Sequence, residues 1–174
     1  MKRAVLVIPH EDFRDEELFE TKKALEEAGI GAKVASTELS TAKGKLGGVA
    51  DPDILLADIN MDNFDALVFI GGIGCLVYWD DPLAHKLLND SFSSGKITAG
   101  ICSSVVTLAR AGILKGKRAT VYPGDSKELI DRGIDYTASE VEEDGNIITA
   151  SGPKAAYEFG KKIACALKGG EGRC

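Results

Sequence analysis

The chain has 174 residues, 44% hydrophobic and 28% charged, with a formal net charge of −6. That profile fits one globular domain, placed over residues 1–168, and the length suffices for a sizeable core. The acidic balance, with no basic stripe, argues against non-specific nucleic-acid binding, and no apolar run approaches a membrane span. Lys2-Arg3 leads straight into an apolar strand with no signal peptide, so a cytoplasmic location is expected. Glutamine is absent while lysine and glutamate are abundant, a lean towards a thermophilic source. Cysteines at 75, 102, 165 and 174 have neither CxxC spacing nor histidine partners. The sequence therefore implies no metal site, no cofactor and no disulfide framework.

Taken in order, the chain alternates strand and helix. Ala4 to Ile8 reads as a continuous apolar strand, as in a parallel sheet covered on both faces. Pro9 to Phe13 is a loop, and Asp15 is the expected cap of a helix that runs to Ala28 and closes at Gly29. A short strand follows at Ala32 to Ala35, and residues 36–61 read as a loop with a small hairpin. Ala66 to Ile70 is the next buried strand, broken by Gly71-Gly72-Ile73-Gly74. Pro82 opens a helix to about Ser93, which Gly95 ends. A strand at Ile97 to Ile101 runs into Cys102, and the apolar run from Val105 to Ala111 closes at Gly112. Then come a strand near Ala119 to Val121, a helix around Ser126 to Asp131 and a hairpin through Asp144-Gly145. A last helix runs from Pro153 to Leu167, and the tail 169–174 is expected to fray. The pattern predicts a three-layer, doubly wound α/β domain with a mostly parallel sheet.

Cys102 stands where the 97–101 strand turns into a helix, with Gly100 two residues before it and Ser104 two after. This is the spacing of a nucleophile elbow, a turn too tight for bulk at the flanks. A helix N-terminus there favours thiolate over thiol. The competing reading makes Cys102 a small apolar filler between a buried strand and a buried helix. In such sheets ligands bind beyond the carboxyl ends of the strands. The 9–17 loop, the Gly71–Gly74 turn and Cys102 all fall on that edge.

Helical spacing singles out one acid in the first helix. Glu16, Glu20, Lys23 and Glu27 form a solvated face, whereas Glu17, Thr21, Ala24 and Ala28 form a stripe suited to close packing. A carboxylate heading an inward stripe is costly without a partner, and a Cys102 sharing a proton with Glu17 would be one. Alternatively Glu17 only complements its own helix dipole. The amides of Gly72 and Ser103 read as an oxyanion pair; the other reading of the glycines is an ordinary tight turn.

These residues carry a resemblance. The loop F-R-D-E-E-L from Phe13 to Leu18, the turn D-A-L-V-F-I-G-G, the elbow A-G-I-C and T-V-Y-P-G from Thr120 to Gly124 resemble the ThiJ/PfpI superfamily. The resemblance covers nearly the whole chain in order, including E-V-E-E-D-G-N and the closing helix. It implies a flavodoxin-like fold related to class I glutamine amidotransferases and a homo-oligomer. It makes Cys102 the nucleophile, Glu17 the glutamate that contacts it, and Gly72 and Ser103 the amide donors. Tyr122 takes the place of the tyrosine of the PfpI branch. Two departures stand out. PfpI-type proteases place a histidine directly after the cysteine, where this chain has Ser103, and the parkinsonism-associated deglycase branch has a histidine where this chain has Tyr122.

Only His10 and His85 exist. His10 ends the first strand at the site edge and is a candidate partner for Cys102, while His85 reads as a surface residue. Cys75 is a candidate resolving thiol, set against a packing role. Cys165, between two alanines, reads as core. Tyr78 and Trp79 wall the pocket, meet a partner subunit or staple the next helix to the core. The expected function is cysteine-dependent chemistry on small reactive carbonyls or their protein adducts, of glyoxalase or deglycase type. The alternatives are an intracellular PfpI-type peptidase, and a redox or stress sensor that works by oxidation of Cys102.

Overall fold

The computed structural model describes residues 1–170. In chain order the elements are β1 (Arg3–Val7), β2 (Glu11–Phe13), α1 (Asp15–Glu27), β3 (Gly31–Ser36), β4 (Ala42–Gly44), β5 (Val49–Ala50), β6 (Ile54–Leu55) and β7 (Ala66–Phe69). There follow α2 (Pro82–Ser93), β8 (Ile97–Ile101), α3 (Val105–Arg110), β9 (Arg118–Ala119), α4 (Ser126–Ile130), β10 (Asp135–Tyr136), β11 (Val141–Asp144), β12 (Ile147–Ala150) and α5 (Ala156–Leu167). A seven-stranded sheet runs β11-β12-β8-β7-β1-β3-β6. Every neighbouring pair is parallel except the β11–β12 hairpin at the edge.

Alternation along the strands builds two cores from one apolar run. Val5 and Val7 pack with Leu67 and Phe69 beneath α2 and α3, while Ala4, Leu6 and Ile8 pack with Val68 and Ile101 beneath α1 and α5. This is the predicted three-layer, flavodoxin-like α/β fold. The small-residue stripe of α1 lets α5 come close: a Cβ on Gly160 would lie 2.7 Å from the Thr21 carbonyl oxygen and 2.8 Å from Ala24 Cβ. The chain winds from β1 to β3 on one side and later to β7 on the other. The crevice between the β1 and β7 ends is thus the switch point where such sheets bind ligands.

Several local expectations need correction. Asp15 does not cap α1; Arg14 holds the cap position, with no side-chain bond. The buried Asp15 carboxylate instead accepts from the amides of Leu46 at 2.9 Å and Gly48 at 2.6 Å, pinning the β4–β5 hairpin. The strand expected at 119–121 is only Arg118–Ala119, which pairs with β10 outside the main sheet. The closing helix begins with a 3-10 turn, Pro153–Ala155. Gly169 and Gly170 close that helix, donating to the carbonyls of Ala166 and Cys165; the rest of the predicted frayed tail, with Cys174, lies outside the described residues. Cys165 is half-buried and disulfide-bonded, against the expectation of a core residue with no disulfide. His85 is half-buried, its Nε2 2.7 Å from the Trp79 carbonyl oxygen.

Candidate active site

The carboxyl ends of β1, β7 and β8 bring three turns together. After β8 the backbone reverses at Cys102 with φ 61°, in the left-handed region that side chains other than glycine rarely occupy. The flanking small residues make this turn fit. Gly100 leaves room for Leu108, whose Cδ1 would lie 3.0 Å from an added Cβ. Ser104 Oγ accepts from the Ile101 amide at 3.0 Å and donates to the Phe69 carbonyl at 2.7 Å, locking β8 to β7. Such strain persists only where the surroundings over-determine it, and it concentrates at functional sites. Asp12, at the irregularity in β2, carries φ 57°.

The glycine turn after β7 fills the gap between the other two. Gly71 is buried, and a Cβ there would fall 2.7 Å from Glu17 Oε2, 2.8 Å from the Ile101 carbonyl oxygen and 2.9 Å from Cys102 Cβ. Its amide donates to Glu17 Oε2 at 3.2 Å, and its carbonyl accepts from the Arg14 amide at 3.0 Å. Gly72, with φ 103°, passes so close to the first loop that a Cβ would meet the Arg14 nitrogen at 2.4 Å. Backbone alone fits here.

Glu17 is fully buried at 0% exposure. Its Oε1 has no regular hydrogen-bond donor, and the thiol of Cys102 is the carboxyl group's remaining polar neighbour. Burial pushes the Glu17 carboxyl up to about 8, against the pull of the Cys102 and Gly71 hydrogen bonds. Burial, together with the charge of Glu17, pushes the Cys102 thiol up to about 12, only partly offset by the Ser103 amide and hydroxyl. Burial thus works against the helix-end activation expected of Cys102. A 3-10 turn, Cys102–Ser104, separates the half-buried Cys102 from the six-residue α3, and the adjacent buried carboxylate disfavours a second negative charge. The pair carries one charge at most near neutrality.

The remaining predicted residues are placed as follows. Ser103 follows Cys102, and its amide and hydroxyl both pull the thiol's pKa down. Tyr122 is 48% exposed at the head of the Pro123–Asp125 turn, with its ring folded over Gly124. Cys75 is buried, and its thiol is raised further by burial and by the nearby Cys102 and Glu17. His10 is not brought to Cys102; its Nε2 lies 3.0 Å from Ser40 Oγ and 3.9 Å from Glu38. Tyr78 is core, its hydroxyl donating to the Ile8 carbonyl at 2.8 Å. Among the described residues there is no group of three or more His, Cys, Asp or Glu placed to hold a metal.

Three further residues neighbour the site: Arg14 and Asp125, which the sequence does not single out, and Trp79, a candidate pocket wall. Arg14, paired with Glu16 at 2.8 Å, acts electrostatically on both Glu17 and Cys102. Trp79 Nε1 donates to the Ser103 carbonyl at 2.9 Å, and Asp125 Oδ2 accepts from the Ser103 hydroxyl at 2.6 Å. Only the Pro-Gly turn before Asp125 marks its segment as a loop; nothing in the sequence ties it to Ser103.

A sequence model of the DJ-1/PfpI family matches residues 2–166. An uncharacterized protein of Methanocaldococcus jannaschii is 40% identical over 169 residues, 95% of this chain and 82% of that one. A deglycase of Pyrococcus abyssi is 34% identical over 94% of this chain and 99% of its own. A glutathione-independent glyoxalase of Caenorhabditis elegans is 29% identical over 98% and 91%. The crystal structure of a ThiJ/PfpI domain protein from Brachyspira murdochii superposes with a TM-score of 0.94 at 38% identity, covering 96% of each chain. With likeness of sequence and fold over almost its whole length, the chain belongs to the DJ-1/PfpI family.

Proposed function

We propose that this protein processes small reactive carbonyls, or their adducts on proteins, through Cys102. The observation that carries this reading is the fully buried Glu17 carboxyl set against a cysteine on a strained elbow. Relatives named deglycase and glyoxalase point to the same substrate class. In its ionised form Glu17 takes the thiol proton as the sulfur adds to an aldehyde carbon, and then returns that proton to the new alkoxide oxygen. A hemithioacetal results, with no net proton gained or lost. An acid–base group with a pKa near the working pH suits this cycle. The Gly72 and Ser103 amides are the proposed donors to the developing oxyanion, and Tyr122 the proposed polar group at the mouth. With a dicarbonyl such as methylglyoxal, a proton then leaves the hemithioacetal carbon and another reaches the adjacent carbonyl carbon. Hydrolysis of the resulting thioester releases a 2-hydroxy acid.

A peptidase reading lacks its histidine, since His10 and His85 are engaged elsewhere. No helix among the described residues is long and apolar enough to cross a membrane, and we place the activity in the cytoplasm. Exposed Ile73 and Val77, beside the site, suit contact with a second copy of the chain. The test is a substrate panel of methylglyoxal, a glycated amine and a peptide, offered to wild type and Cys102→Ser. The account expects turnover of a carbonyl, lost in Cys102→Ser. No turnover, together with clean addition of two oxygens to Cys102 under mild peroxide, overturns it in favour of a sensor.

A further inference from the structure

The elbow after β8 is held by contacts that reach it from two other segments. Ser103 directly follows the strained Cys102, and two of its three polar groups are tied elsewhere. Its carbonyl accepts from Trp79 Nε1 at 2.9 Å, and its hydroxyl donates to Asp125 Oδ2 at 2.6 Å. The third group is the amide, the proposed donor to the oxyanion. Trp79 is itself fixed. The Arg110 guanidinium lies over the indole, its carbon 4.7 Å from the ring centroid, in a cation–π contact. Arg110 Nη1 donates to Asp80 at 2.8 Å and Nη2 to Glu128 at 3.0 Å, so both tips of the planar fork are tied. The buried Nε has no partner among the described residues, so the stack on the indole as well as the ion pairs sets this pose. Arg110 also ends α3, the helix that starts from the elbow. Six residues are too few to hold a helix unaided. The contacts close a ring: elbow, α3, Arg110, Trp79 and back to Ser103.

We propose that Trp79 and Arg110 are positioning residues that work as one unit, aiming the Ser103 amide at the developing oxyanion. This rests on the reading of Cys102 as the nucleophile and of Ser103 as a donor. A backbone strained at Cys102 keeps its shape only where its surroundings over-determine it. An oxyanion donor must also be aimed before the charge develops, because turning it during the reaction costs rate. Fixing the Ser103 carbonyl limits the rotation left to the neighbouring peptide that carries its amide. The indole N–H makes that link, and the guanidinium holds the indole in place to make it. Removing either should therefore have the same consequence, and removing both little more.

The experiment is a double-mutant cycle of Trp79→Phe, Arg110→Met and the two combined. Phenylalanine keeps a ring beneath the guanidinium and removes the indole N–H. Two readouts are taken: amide hydrogen exchange by mass spectrometry over residues 102–111, and kcat and KM for the carbonyl of the substrate panel turned over fastest. Lys96→Met is the control, since it removes bonds to the Met61 and Phe64 carbonyls at the amino end of β8, away from the site. Thermal melting checks that every variant is folded. Each single variant should speed exchange over 102–111 about fivefold, the equivalent of one net hydrogen bond. Each should also lower kcat about tenfold with KM unchanged, the mark of an interaction made only in the transition state. The double variant should differ from either single one by less than about twofold, and Lys96→Met should change neither readout. Unchanged exchange in the single variants, or effects that multiply in the double variant, overturns the proposal. So does a raised KM at unchanged kcat, which would place Trp79 in substrate binding. A wild type inert to the whole panel defeats the proposed function, and the exchange cycle still decides whether the two residues hold the elbow as one unit.

Discussion

Glu17→Gln should make the protein more stable, by an amount that grows with pH. Glu17 is fully buried, so no solvent screening reduces the effect. Its carboxyl loses a proton at about 8 in the folded chain, against an ordinary value of 4.5. A raised folded value means that the native state holds the proton more tightly than the unfolded chain. The stability that this proton supports is complete below about 4.5 and is lost progressively as pH rises to about 8. At pH 7 the interval is about 2.5 pH units, and at ~1.4 kcal/mol per unit wild type is about 3 kcal/mol less stable than at pH 4 on this account. Above pH 8 the loss levels off near ~5 kcal/mol. Glutamine does not titrate, and its amide can still accept from Gly71 and donate towards the sulfur. Urea unfolding of both proteins at pH 4.5, 6, 7 and 8 reads the difference directly, and differencing across pH cancels any constant packing offset. In melting temperature the pH 7 gain corresponds to roughly 6–12 °C. A difference between the two proteins that stays flat from pH 4.5 to 8 would refute the reasoning.

Two further substitutions test how the site is held. Gly71→Ala places a Cβ within 3 Å of Glu17 Oε2, the Ile101 carbonyl oxygen and Cys102 Cβ. It should cost ~1–3 kcal/mol in urea unfolding and, by displacing the reacting pair, on the order of a hundredfold in turnover. Asp15→Ala removes two charge-assisted bonds to the Leu46 and Gly48 amides and should cost about 3 kcal/mol. Limited proteolysis should then cut first within the Ala42–Ala50 hairpin; cutting elsewhere first would count against the pinning role.

The β–α alternation is readable because Ala4 to Ile8 and Ala66 to Ile70 are unbroken apolar runs and helices end at a glycine with positive φ, as at Gly29, Gly95 and Gly112. The elbow was readable because sterics restrict Gly100 and Ser104 to small residues. Glu17 stood out because a carboxylate headed a stripe of Thr21 and Ala24. What stayed hidden depends on contacts distant in sequence. Asp15 has the residue type and position of a cap, and only the fold of the hairpin recruits its carboxylate elsewhere. His10 follows the right strand, but its ring turns to Ser40. The burial of Glu17 against Cys102 is hidden too, because a helix end is visible in sequence while the packing of distant segments over it is not.

The central claim is that Glu17, once ionised, takes the Cys102 thiol proton and passes it to the substrate oxygen. The pH profile of kcat/KM for carbonyl turnover tests this most directly, because it reports the free enzyme's essential groups. Wild-type kcat/KM should rise about tenfold per pH unit and level off near 8, the value set by the burial of Glu17. Glu17→Gln should lose on the order of a hundredfold or more and show no inflection there. A wild-type profile already flat between pH 6 and 9, or a Glu17→Gln variant that keeps both rate and inflection, would contradict the account.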